Sequence, residues 1–407
     1  MNLLVLVLTL TLAQQHAVHM LTDAAFRGDT VGTELARKRV GDVSEARMQY
    51  YVAFSEWMDA QTVGGDTALA TAAAKRAMAS VDRAIALDPK LVEAHVLRSR
   101  IAFLFLFHGA MSMNEARALM TEAYTAAKKL APEHPLVISQ DAVFRYYGTA
   151  NGREEGRALM RKSIDATAAR AATDEDAALW LPILWNWYGL MFLGEAEMEQ
   201  ARAAFTTAIQ LRPDYMHVKS GMLPMTELVD VGALPKFSRT GWKPIVSDEE
   251  GDGKSKTMPD LRGVAWRADG DRVWFLFSLA AAPDPSRIGM NLALDLDGDP
   301  DNGPNWWAGN RGFRYDRVVT VWVARGADGK YRGSVGVADA ADIVGGRFTT
   351  SPAGTVSFAI DAANEALLVG VKRSALADQM RMVATVGSNT DWNDVAPGEG
   401  SALLDLD

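Results

Sequence analysis

Ala201-Arg202-Ala203-Ala204-Phe205-Thr206-Thr207-Ala208-Ile209-Gln210-Leu211-Arg212-Pro213 reads as a helix that runs into a proline. Proline ends a helix because it has no N–H and its ring clashes with the preceding turn. Two earlier stretches close the same way, Ala84-Ile85-Ala86-Leu87-Asp88-Pro89 and Ala126-Ala127-Lys128-Lys129-Leu130-Ala131-Pro132. The first two prolines lie about 43 positions apart and the last two about 81, or two periods of about 40. The missing copy falls near Ala171–Thr173, where no proline marks the end. Each period holds two helices, which pair roughly as 44–61 with 66–87, 90–109 with 114–130, 134–149 with 152–171, and 176–193 with 195–211. A lone helical hairpin cannot bury its apolar face, so the hairpins are expected to stack and share a continuous core.

Working outward, the composition changes near Leu234-Pro235. All six histidines precede that point, while about 21 of the 34 glycines follow it. The acidic residues beyond it are about 20 Asp to 4 Glu. The first part is rich in Ala, Leu, Met and Glu, which favour helix. The second is rich in Gly, Asp, Val and Trp, with turn signals between short apolar runs, which favours strands. The domains expected are therefore a helical repeat over 14–235 and a β-sandwich over 236–407. A chain of 407 residues is long enough for both to bury cores.

Whole-chain counts exclude several functions. A net charge of −9 offers no basic footprint for nucleic acid. With no cysteine, disulfides, zinc–thiolate sites, iron–sulfur clusters and thiol nucleophiles are ruled out. Leu3 to Ala13 is an apolar run too short to span a bilayer, which needs about 20 residues. It suits the apolar core of a secretory signal ending at Thr11-Leu12-Ala13, although no Lys or Arg precedes it. The expectation is a signal peptide over 1–13, export to the periplasm or beyond, and no transmembrane segment. The alternative is a buried N-terminal helix.

The helical half resembles the tetratricopeptide-repeat family. The resemblance rests on small residues at Ala-x-x-x-Ala-like spacing and on the helix-ending Leu-x-Pro, with Ala201–Pro213 the best copy. Tyr188-Gly189-Leu190-Met191-Phe192-Leu193-Gly194 before it suits the family's small and aromatic positions. The period, about 41–43 rather than 34, departs from the family. The resemblance covers about 66–220 and implies a groove for a protein or peptide partner. Trp180, Trp185, Trp187 and Tyr188 crowd one helix and Phe103, Phe105 and Phe107 another; packing between hairpins explains them as readily as a groove does. The histidines show no pairing such as His-Glu-x-x-His.

The second half contains strand-length runs at 273–279, 289–295, 318–323, 331–337, 355–360, 366–371 and 382–386. Asp269-Gly270-Asp271 and Asp328-Gly329-Lys330 read as hairpin turns, and a short helix is expected over 372–378. Seven or more short strands over about 170 residues point to an antiparallel two-sheet sandwich. Its most informative stretch is Asp295-Leu296-Asp297-Gly298-Asp299-Pro300-Asp301-Asn302-Gly303. Asp295, Asp297, Asp299 and Asp301 would repel one another, and a hard cation with oxygen ligands would relieve that. With no His or Cys in this half, Ca²⁺ is the favoured ion, in a structural role. The loop is not an EF-hand: counted from Asp297, position 6 is Asn302 and position 12 is Ala308. Asp248, Asp252 and Asp260 form a second, looser cluster, and Asp252 in particular could complete the first site. A solvated acidic turn is the alternative.

An ordered set of short motifs carries a second resemblance. These are Ser247-Asp248-Glu249-Glu250-Gly251-Asp252-Gly253, Asp260-Leu261-Arg262-Gly263-Val264, Asp271-Arg272-Val273-Trp274-Phe275, Leu294-Asp295-Leu296-Asp297, Gly312-Phe313-Arg314-Tyr315-Asp316 and Asp391–Gly400. Together they resemble the family 9 carbohydrate-binding module and related DOMON-like sandwiches, over about 242–407. That resemblance implies a jelly-roll-like sandwich, structural calcium and, in some members, sugar held between paired tryptophans. Trp306, Trp307 and Trp392 are the candidates here, because an indole face suits the C–H face of a sugar; Trp266, Trp274 and Trp322 read as core. The function expected is a non-catalytic exported binding or scaffold protein. A carbohydrate-active enzyme using sandwich carboxylates and a purely architectural protein are the alternatives.

Overall fold

The computed structural model describes all residues except 1–11, 41–44, 64–65, 109, 149–151, 196, 236–239, 255–258, 282–287, 307–309, 311, 326–327, 329, 345–353, 388–391 and 407. Most of the apolar run expected as an export signal lies outside the described residues. The chain packs as two compact units, one comprising residues 1–62 with 69–163 and the other 63–68 with 164–407.

Helices fill the N-terminal half. They are α1 (Leu12–Arg27), α2 (Thr30–Val40), α3 (Ala46–Thr62), α4 (Thr67–Leu87), α5 (Val92–Phe107), α6 (Met113–Leu130), α7 (Pro135–Gly148), α8 (Arg153–Ala168), α9 (Glu175–Gly194) and α10 (Met198–Leu211). From α3 onward the bounds follow the four expected pairs. Helices α1 and α2 are additional, and α1 begins inside the expected cleavage motif. Local chemistry sets the ends. Ser112 and Glu115 form a reciprocal capping box at the start of α6. Asp174 accepts the Ala177 N–H at the start of α9.

Small residues let paired helices approach closely. A Cβ on Gly156 of α8 would sit 2.8 Å from the Ala142 carbonyl and from Tyr146 on α7. In the second unit, a Cβ on Gly189 of α9 would stand 2.4 Å from the ring of Phe205 on α10. Helix α9 is long and apolar enough to cross a membrane by length and composition. Most of it is nonetheless buried in protein, including Trp180, Pro182, Asn186 and Trp187. Trp185 and Tyr188 are half-buried and pack edge to face at 5.9 Å. The four aromatics therefore divide between core and surface.

The β half is an antiparallel sandwich. Its strands are β1 (Val229–Asp230), β2 (Lys243–Ser247), β3 (Leu261–Asp269), β4 (Arg272–Leu279), β5 (Ile288–Asp295), β6 (Arg317–Arg325), β7 (Tyr331–Asp339), β8 (Val356–Asp361), β9 (Ala366–Lys372), β10 (Gln379–Gly387), β11 (Trp392–Ala396) and β12 (Ala402–Asp405), with a short helix α11 (Ala340–Val344) after β7. One sheet runs β1-β7-β6-β5-β10-β11, with β12 also on β10; the other runs β2-β3-β4-β9-β8. Alternation fills the space between them. Val273, Phe275, Phe277 and Leu279 of β4 meet Ile288, Met290, Leu292 and Leu294 of β5 in one core. At about 25 cal/mol per Å² this apolar burial is the main force holding the sheets together.

Two expectations need correction. The sandwich starts before residue 236: Val229 pairs with Gly333, and the Gly232 N–H donates to the Phe358 carbonyl, so the segment expected to end the helical domain lies along an edge of each sheet. The helix expected over 372–378 is only a 3-10 turn at Arg373–Ala375. The hairpin at Asp269–Asp271 is present, with Gly270 at φ +59°. Part of the Asp328–Lys330 turn lies outside the described residues.

Candidate functional site

Strand β5 is buried along its whole length, so the seven-stranded sheet is covered on its outer face as well. Side-chain period two sends Gly289, Asn291, Ala293 and Asp295 to that outer face. Each begins a row across the sheet, and the rows differ in chemistry.

The lowest row carries charge. Asp295 of β5 stands opposite Arg381 of β10. The guanidinium grips Asp295 Oδ2 with Nη2 and with Nε at 2.6 Å. Asp295 Oδ1 accepts the Gly298 N–H at 2.8 Å. The rest of the acidic loop satisfies itself. Asp297 accepts from the Asp299 N–H and from Asn302, and Asp299 accepts from the Asp301 N–H. The Asp299 N–H and the Asn302 amide hold the Asp297 carboxyl below its usual range. Asp316 comes within ligand distance of Asp295 and Asp297, but it too is engaged, by the Leu296 N–H at 2.7 Å. Asp299 and Asp301 do not join that group among the described residues, and neither does Asp252. Of the expected five-residue metal set, Asp295 and Asp297 thus come together with Asp316, Asp295 already has a protein cation, Asp297 and Asp299 accept turn N–H groups, and Asp252 belongs to a separate cluster.

A different cluster lies at the seam of the two sheets. Asp248 follows β2, Asp252 and Asp260 lie in the loop before β3, and Asp394 belongs to β11 of the other sheet. One oxygen from each of Asp248, Asp252 and Asp394 lies within 4.8 Å of the others. Asp260 closes the loop by accepting the Gly251 and Gly253 N–H groups. Asp394 Oδ2 accepts the Leu261 N–H at 2.7 Å, a bond between sheets. Asp248 Oδ2 is buried and has no hydrogen-bond partner. Among the described residues none of these four acids has a Lys or Arg partner within ion-pair distance. Burial, then repulsion from Asp394, Asp252 and Asp260, pushes Asp248 up to about 7. Asp394 is raised too, by burial first and then by Asp252 and Asp260. Oxygens spaced this closely fit one cation with Ca²⁺–O distances of about 2.3–2.6 Å. The donor set contains no nitrogen or sulfur, which disfavours zinc and copper.

The aromatic expectations divide. Trp306 is fully buried and meets Tyr315 edge to face at 5.4 Å. With Phe313, Val318 and Val383 it covers the Ala293 row. It therefore cannot serve as an exposed sugar platform. Trp307 lies outside the described residues, and Trp392 is described only by its place in β11. Among the strand tryptophans, Trp266 is core, whereas Trp322 is half-buried and lies on the outer face.

The two upper rows of that face were not foreseen. One runs Gly336–Thr320–Asn291–Thr385. Thr320 Oγ1 donates to Asn291 Oδ1 at 3.0 Å, and Asn291 Nδ2 donates to Thr385 Oγ1 at 3.3 Å. The next row runs Ser334–Trp322–Gly289–Gly387–Trp392. Two glycines thus separate two tryptophan positions three strands apart, or about 14 Å at the usual strand spacing. The β5–β10 pairing, between strands far apart in sequence, brings the two halves of each row together, so no local motif could have marked them. In comparison with known proteins, no family model matches this chain, and no curated protein matches it.

Proposed function

We propose that this chain is a non-catalytic binding protein whose β-sandwich recognises a glycan on the outer face of its seven-stranded sheet. The row Ser334–Trp322–Gly289–Gly387–Trp392, beside the polar row Thr320–Asn291–Thr385, carries this reading. Glycine removes side-chain volume between the tryptophan positions. Asn291 and Thr385 are buried and bonded to each other, so the half-buried Thr320 hydroxyl, beside the half-buried Trp322, is the group through which a sugar hydroxyl would meet this row. Indole faces suit the apolar face of a sugar ring. In this reading Asp248, Asp252 and Asp394 hold a structural Ca²⁺ that ties β11 to the opposite sheet. The helical repeats dock a protein or peptide partner, and the protein acts outside the cytoplasm.

The test is calorimetric titration and affinity electrophoresis of the full chain against a panel of soluble polysaccharides, in calcium. Loss of one stacking wall is expected to cost about 2 kcal/mol, or about thirtyfold in Kd, so Trp322→Ala should abolish retardation. An intact chain that binds no polysaccharide, or whose binding is unchanged in Trp322→Ala, sinks the reading.

A further inference from the structure

Helix α3 is buried on all sides, and it carries two carboxylates one turn apart, Glu56 and Asp59. Both are almost wholly buried. Glu56 has company: Oε2 accepts from Ser80 at 3.0 Å, and Oε1 lies 3.7 Å from Arg37 and 3.6 Å from Arg76. Asp59 is poorer. Among the described residues its one hydrogen-bond partner is the Thr33 hydroxyl on α2, at 3.2 Å, and it has no ion pair. An ionised carboxylate buried with one neutral donor is costly.

The Thr33 oxygen also lies 3.1 Å from the Asp29 carbonyl, the usual back-bond of a helical threonine. A hydroxyl carries one proton. If Thr33 donates to Asp29, it can only accept from Asp59, which must then be the protonated acid. If Asp59 is ionised, Thr33 must turn its proton toward it and give up the Asp29 bond. The neutral acid makes two bonds where the carboxylate allows one.

We propose that Asp59 is a proton-operated latch that holds α2 on α3 when protonated and loosens it when ionised. The groups acting on Asp59 are Thr33 on α2, Arg76 on α4, Glu56 on its own helix and Asp29 before α2. Arg37 on α2 and Arg83 on α4 act on Glu56. No ionisable group of α1 or α5 is among the principal ones. Burial outweighs the help from Thr33 and Arg76 and lifts Asp59 to about 7. Because the docked value lies above the free one, docking is strongest below about pH 4 and weakens as pH rises toward 7. Helix α2 shows Val31 and Leu35 to solvent on its other side, packs against its hairpin partner α1, and meets α3 through this inner face.

Hydrogen exchange on the full chain tests the latch. The protection of α2 amides, corrected for intrinsic rates, is expected to fall about 30-fold between pH 5.5 and pH 8, from the separation of the docked and free values. In Asp59→Asn, whose amide can donate to Thr33 at any pH, the fall should be largely lost, with only a residue from Glu56, which burial also raises. A flat wild-type profile, or the same fall in the Asn variant, overturns the proposal. Should that variant not fold, ¹³C titration of the wild-type Asp59 carboxyl decides: a midpoint near 7 supports the latch, and one below 5 overturns it.

Discussion

Replacing Arg381 with Met separates the two acidic clusters more sharply than a metal titration would. The Asp295 side chain is 2% exposed and the Arg381 side chain 29%. Their pairing is direct across β5 and β10, with the Nε contact at 2.6 Å. Removing the guanidinium leaves a buried carboxylate with only the Gly298 N–H for compensation. Breaking a buried pair from one side costs about 3–5 kcal/mol. Water reaches Arg381 from one side, so the low end applies, about 3 kcal/mol. For a unit of this size that lowers Tm by about 6–12 °C. Tryptophan fluorescence during thermal unfolding of the full chain would report it, since the sandwich carries several of the 11 tryptophans. Adding Asp295→Asn to Arg381→Met removes the orphaned charge and should recover most of the loss. A single-variant cost below about 1 kcal/mol, or a cost seen only in EDTA, would show that Asp295 is compensated by something other than Arg381, and the cation loop read in the sequence would return.

Two further outcomes follow from the site. With cations removed, Asp248 titrates near 7 in the folded chain against about 4 unfolded, so stability should fall from pH 5 to pH 8. Calcium at a hundred times its Kd should restore about 2.7 kcal/mol at pH 8, measured as a Tm rise that Asp248→Asn abolishes; equal rises in both proteins would place the ion elsewhere. Trp306→Ala should cost about 3–5 kcal/mol as a core truncation while leaving any saccharide Kd unchanged in the folded fraction, checked by calorimetry below Tm. A mild, stable variant with lost binding would instead restore Trp306 as a platform.

The helical half was legible because its signals are local. A proline after an apolar-periodic run and small residues at helical spacing act within one or two turns, so four helix pairs fall close to their expected places. Helices α1 and α2 escaped because no proline follows either and the export reading claimed the residues where α1 begins. In the sandwich, strands β4 to β10 announce themselves by β-branched and aromatic runs. The remaining strands do not. Val229–Asp230 is two exposed residues that become a strand only because β7 offers an edge, and β12 is four residues placed by pairing with Gln379–Met382.

Charge compensation was the harder lesson of the site. Four aspartates at alternate positions look like a cation loop, since spacing shows repulsion and hides its remedy. The remedy, Arg381, lies 86 positions away and arrives only through β-pairing. The reverse holds for Asp248 and Asp394: far apart in sequence and unremarkable singly, they are brought together by the seam of two sheets, with no Lys or Arg at ion-pair distance among the described residues. Trp322 misled in the same way. Alternation shows which residues share a face but not which face is interior, and a sheet covered on both sides makes the two faces equally apolar in sequence. What distinguishes them is the next strand over. Gly289 and Gly387 beside Trp322 carry no side chain where the opposite face packs Met290 and Val386, and that difference is a property of the register alone.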